Sequence, residues 1–142
     1  MNLEDRNRVD QIKNQAKRFI WITFQKVGFH KYPAAESDPL LADVQYLGNK
    51  HRHLFKFRIA IEIFHNDREI EFHQFLNFCE SLFSESRIDI DFKSVEMLSD
   101  ELYVKIAEKY SSRDIKIEVS EDGECGCLIE YNTSKPLQSI NI

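Results

Sequence analysis

The chain has 142 residues, the size of one domain built around a single core. Its 42% hydrophobic and 30% charged residues mark a globular protein and exclude a disordered one. A net charge of -5 lacks the basic excess with which nucleic-acid binders displace counterions from phosphates, so nucleic acid is not an expected partner. No apolar run is long enough for a bilayer span and no signal-peptide core is visible, which leads us to expect a cytoplasmic protein without a membrane partner.

Residues 1–17 are charged throughout with few apolar positions, so a polar N-terminal extension is expected, either a solvated helix or a frayed arm. In the next segment, 19–29, aromatic and β-branched residues cluster and alternate from Phe19 to Phe24, which predicts a first strand. Residues 31–50 hold two of the three prolines and no sustained periodicity; they read as a long excursion, and loops of that length usually serve a site. From His51 to His65 the chain alternates strictly, with His51, His53, Phe55, Phe57, Ile59, Ile61 and Ile63 on one face. That alternation is the strongest structural signal in the sequence.

Phe72, Phe75, Leu76, Cys79, Leu82 and Phe83 recur at helical spacing and predict a helix from about Glu71 to Ser84. A short extended piece, RIDIDF, follows. Ser99 is then positioned to cap a second helix, with Asp100 and Glu101 on its positive end and Leu102, Ile106 and Ala107 on its apolar face. RDIKIEVSE and CGCLIEY read as two strands joined by Glu121-Asp122-Gly123-Glu124, where Asp-Gly marks a tight hairpin. The expected order is ββααββ, an α+β domain over 18–132 with a tail at 133–142.

Three cysteines without CxxC spacing argue against a disulfide framework and against a thiolate zinc site. Cys79, among apolar neighbours, reads as a small core residue, and Cys125 and Cys127 read as packing residues that share a strand face.

The histidines carry the chemistry. Residues i and i+2 of a strand project to one face about 7 Å apart, so His51 and His53 can direct two imidazoles at one ion. His30, at the end of the first strand, is the natural third ligand, since three neutral imidazoles leave zinc a fourth position for substrate or water. A solvated polar strand end is the alternative reading of an isolated His-x-His pair. His65 and His73 read as surface or packing residues.

In the order of its motifs the sequence resembles the 6-pyruvoyl-tetrahydropterin synthase and 6-carboxytetrahydropterin synthase family, the tunnelling or T-fold proteins, over roughly residues 19–131. The resemblance is carried by His30-Lys31-Tyr32-Pro33, by His51-Arg52-His53 where the family has His-Gly-His, by Glu71-Phe72, by Asp91-Phe92-Lys93-Ser94, by Leu98-Ser99-Asp100-Glu101-Leu102, and by Glu121 at the end of KIEVSE. It implies an antiparallel sheet with two helices on one face, assembling by its edges into a barrel as a trimer or hexamer. It further implies zinc on His30, His51 and His53, and a pterin- or purine-like small molecule as ligand, with Glu121 anchoring its ring and Ser99 at the binding helix.

Two departures bear on activity. The family's basic cysteine before the His-x-His pair has no counterpart in DVQYLGNK, and Phe92 stands where the family has the histidine that partners it. A phenyl ring moves no protons, so the usual relay is missing. Asp91 remains as a candidate catalytic residue. Glu36 and Asp43 are candidate substitute bases, but neither has the expected spacing to His51, and both read more readily as solvated loop charges. Phe29, Tyr32 and Tyr46 are candidate stacking faces, which as aromatics more often pack. The expected function is therefore zinc-dependent, lyase-type chemistry on a pterin-like substrate, or alternatively a non-catalytic T-fold protein that sequesters or senses a pterin, purine or nucleotide.

Overall fold

The structure, a computed structural model, describes residues 1–13 and 15–133. The predicted tail lies outside this range except for its first residue, Thr133. Eight regular elements follow in order: α1 (Leu3–Lys13), β1 (Arg18–His30), β2 (His51–Ile63), α2 (Phe72–Ser81), β3 (Arg87–Asp91), α3 (Val95–Lys109), β4 (Ile115–Glu121) and β5 (Cys125–Tyr131). Two 3-10 segments, Pro33–Glu36 and Pro39–Gly48, shape the excursion between β1 and β2.

The two long strands pair along their whole length, from Arg18 opposite Ile63 to His30 opposite His51. β2 also pairs antiparallel with β4, and β4 with β5, giving a five-stranded sheet ordered β3-β1-β2-β4-β5. Here the expectation of an antiparallel ββααββ sheet needs correcting. The RIDIDF piece is a fifth strand, β3, and it runs parallel to β1. β2 ends opposite Arg18, and the segment through α2 carries the chain along the sheet to enter β3 opposite Val27, so that β3 runs in the direction of β1.

Alternation decides which face is buried. Ile22 and Phe24 of β1, Phe55, Phe57, Ile59 and Ile61 of β2, and Ile115, Ile117 and Val119 of β4 form one core with Phe75 and Cys79 of α2 and with Leu98, Leu102 and Ile106 of α3. Both helices therefore cover one face of the sheet, and Phe24 stacks on Phe57 at 4.7 Å between centroids. On the other face Trp21 is exposed, with the Arg58 guanidinium 4.4 Å from its ring centre.

Glu71 caps α2 by accepting from the Gln74 N–H at 2.8 Å. α3 is capped five residues earlier than expected: Ser94, not Ser99, accepts from the Met97 N–H at 3.2 Å. The apolar spacing of Val95, Leu98, Leu102 and Ile106 explains the earlier start, because it puts all four on the buried face together with Ser99. The β4–β5 hairpin turns as predicted, with Asp122 at φ 59° and Gly123 at φ 73°, a left-handed pair that Asp and Gly tolerate best.

α1 buries none of its residues, as a solvated helix should. At the far end of the sheet from the histidines, the buried Asp114 carboxylate accepts from Lys17 and from both the backbone N–H and the hydroxyl of Thr133. No helix among the described residues is long and apolar enough to cross a membrane.

Candidate metal centre

The histidines sit where the buried face of the sheet runs out beyond the helices. His30 and His51 are directly opposite each other across β1 and β2, and His53 follows two residues along, opposite Gly28. Gly28 is needed there. A Cβ at this position would lie 2.7 Å from the Phe55 ring and 2.8 Å from the Ile88 carbonyl oxygen. Phe55 in turn forms the floor of the site, 5.3 Å from the His30 ring and 5.8 Å from that of His53.

One donor atom from each of His30, His51 and His53 lies within 4.8 Å of the other two. Which nitrogens are free follows from their partners. The Nδ1 of His30 meets the Lys93 carbonyl oxygen at 3.0 Å, and that of His51 meets the Asn49 carbonyl oxygen at 2.8 Å. The Nδ1 of His53 meets an Asp122 carboxylate oxygen at 2.7 Å. Carbonyl and carboxylate oxygens only accept, so each Nδ1 carries a proton and donates it. A neutral imidazole protonated at Nδ1 presents a bare lone pair at Nε2.

Such outer hydrogen bonds are how proteins orient and tune metal-ligating histidines. His30 is 7% exposed, and burial pushes its pKa below the usual imidazole value against the opposing pull of Lys93 and Glu121. It is therefore neutral near pH 7, the form that binds a cation. The buried Nε2 of His53 makes no hydrogen bond at all. An unsatisfied buried acceptor is costly and calls for a partner. The residues present thus fit a divalent metal ion: three close, oriented imidazoles with one orphaned nitrogen among them.

Glu121 enters this cluster from the end of β4. One carboxylate oxygen is 3.1 Å from the Nε2 of His30 and the other is 3.4 Å from that of His53. The next residue, Asp122, is fixed by a second bond from the Leu54 N–H at 2.8 Å, and that bond, followed by the one from His53, holds its carboxyl below the ordinary range. The sequence marks Asp122 only as a turn residue. Its contact with His53 depends on the β2–β4 register, which local sequence does not reveal.

A cleft of about 770 Å3 opens beside the cluster, bounded by the excursion, the end of β1 and the start of α3. His30, His51 and Glu121 form its polar end, while Tyr32, Leu47, Phe92, Val95 and Met97 form apolar walls. Of the predicted stacking faces only Tyr32 borders it. Phe29 lies near Lys50, and Tyr46 faces a separate hollow with Glu36.

The other candidates fall elsewhere. Asp91 has φ 53°, is exposed, and pairs with Lys31 at 3.6 Å; its side chain does not border the cleft. Ser99 is fully buried inside α3, where its hydroxyl bonds the Tyr131 hydroxyl at 2.8 Å. Glu36, Asp43, His65 and His73 are exposed. Cys79 is buried, as expected of a core residue, and burial pushes its thiol up to about 12. Cys127 packs against the core and Cys125 is exposed, opposite Glu121 on β5. No model of a known protein family matches the chain, and no curated protein matches it in sequence.

Proposed function

We propose that this chain is a zinc-binding T-fold protein, similar to the 6-pyruvoyl-tetrahydropterin synthases, that takes a flat pterin- or purine-like ligand into the cleft beside the histidines. The observation that carries this reading is the orientation of the three imidazoles, whose Nδ1 atoms are all spent on oxygen acceptors while the Nε2 of His53 is left without a partner. His30, His51 and His53 would hold zinc, which such histidine sets favour, and its chemical contribution would be to polarise an oxygen of the ligand. Tyr32 and Phe92 flank the cleft and offer faces on which a planar heterocycle can stack.

The ends of the sheet support the oligomer that the resemblance implies. β5 is an edge strand that pairs with β4 on one side and with no described strand on the other, and an unpaired edge is a template for pairing with a second chain. A trimer or hexamer closed through sheet edges belongs to the same proposal.

The first form of this function is lyase-type chemistry. The second is ligand capture without turnover, and one observation favours it: Phe92 borders the cleft and no cysteine does, so the family's proton relay has no counterpart there. Incubating the zinc-loaded protein with dihydroneopterin triphosphate separates the two. Product formation that disappears in a His51→Ala, His53→Ala variant supports the enzyme, and stoichiometric binding without product supports the binding protein. If neither occurs, the pterin reading is wrong.

A further inference from the structure

From the position of Glu121 we infer that its carboxylate is a fourth ligand of the metal, making the site a three-histidine, one-carboxylate centre closed by the protein itself. This rests on the metal reading above and changes the role of Glu121, which the resemblance casts as an anchor for the ligand's ring.

Glu121 lies at ligand spacing from two of the three imidazoles. Four ligand atoms held at 2.0–2.2 Å around a tetrahedral zinc lie about 3.3 Å from one another. Glu121 places its two oxygens 3.1 Å from the Nε2 of His30 and 3.4 Å from the Nε2 of His53. The Nδ1 of each of these rings already faces another oxygen, so Glu121 meets both rings at the nitrogens left to hold a cation, where its carboxylate can complete the same sphere.

The backbone holds Glu121 in this position. Phe55 and Glu121 are direct neighbours across β2 and β4, so the carboxylate leaves the same face as His53 and reaches the cluster from the side opposite β1. The following residue, Asp122, is tied to both His53 and Leu54. A carboxylate engaged by both oxygens in this way has little capacity left to grip a ring N–H and an exocyclic amine. A ligand entering the cleft would then meet a metal whose fourth position is already filled, and would reach it only by displacing Glu121, which a simple anion such as azide, without the contacts of the cleft, does not do.

Cobalt reports the difference without any turnover. The full chain is stripped of metal and titrated with Co2+, comparing the wild type with Glu121→Gln and Glu121→Ala and checking each fold by circular dichroism. The wild type is expected to show the intense visible bands of a four-coordinate tetrahedral site and no spectral change on adding azide. Both variants should bind Co2+ at least tenfold more weakly, with altered bands, and Glu121→Ala should respond to azide through its vacated position. Folded variants that keep the affinity and spectrum of the wild type would overturn the assignment, as would a wild-type spectrum that shifts with azide. A wild type that takes up no cobalt defeats the metal reading itself, an outcome distinct from either.

Discussion

Replacing Asp122 with Asn tests the outer hydrogen bond of the metal centre. Two donors converge on this carboxylate, the Nδ1–H of His53 at 2.7 Å and the backbone N–H of Leu54 at 2.8 Å. The amide of Asn has the same shape but a single acceptor oxygen, so whichever way it turns, an NH2 group faces one of the two donors. If that donor is His53, its ring is driven toward the tautomer protonated at Nε2, which blocks the lone pair a metal needs. If it is Leu54, the turn that holds Asp122 loosens and the negative charge behind the imidazole is lost as well. Changes to such outer partners typically cost 10- to 100-fold in metal affinity, about 1.4 to 2.7 kcal/mol. Competition for zinc against a chromophoric chelator at fixed pH measures this directly. A folded Asp122→Asn protein whose zinc affinity stays within twofold of the wild type would refute the reasoning.

Three further outcomes follow from the packing. Gly28→Ala forces a Cβ against the Phe55 ring and the Ile88 carbonyl, so chemical denaturation should show a loss of about 1 to 3 kcal/mol, accompanied by weaker zinc binding because Phe55 underlies the histidines. Ser99→Ala removes the bond to Tyr131, whose hydroxyl still donates to Asp100 at 2.7 Å; stability should fall by roughly 0.5 to 1.5 kcal/mol and zinc affinity should not change. A loss of metal or ligand binding in that variant would return Ser99 to the site. The Asp114 carboxyl is held below its ordinary pKa first by the bond from Lys17 and then by those from Thr133. Its contribution to stability is therefore full above the unfolded-state value near 3.9 and is lost as pH falls from there through the lower folded-state value. Asp114→Asn should cost about 1 to 3 kcal/mol at pH 6 and should flatten the acid limb of the stability curve below pH 4; an unchanged limb would contradict this.

The histidine cluster was legible in the sequence because strand geometry is short-ranged. Two positions in an alternating run share a face whatever the rest of the fold does, and His30 joins them because a strand of matching length precedes the excursion. Cys79 and the Asp122-Gly123 turn were legible for the same local reasons. What sequence did not reveal depends on register and on distant pairing. The five residues of β3 carry too little pattern to announce a parallel partner, and Asp122 reaches His53 only because β4 lies beside β2 in one particular register. The start of α3 was misplaced for a different reason. Ser99, Asp100 and Glu101 imitate a capped, acidic first turn, while the apolar spacing that begins at Val95 gives the true extent. Glu121 shows both sides of this: its place at the end of a strand was visible, but its contact with two imidazoles was not.

The central claim is that His30, His51 and His53 hold one metal ion. Elemental analysis of protein purified without chelators, set beside a His51→Ala, His53→Ala variant prepared in the same way, tests it most directly. One zinc per chain in the wild type, falling to background in a folded variant, is the predicted result. A zinc-free wild type that also takes up none when offered it, or a variant that retains the full complement, would contradict the account.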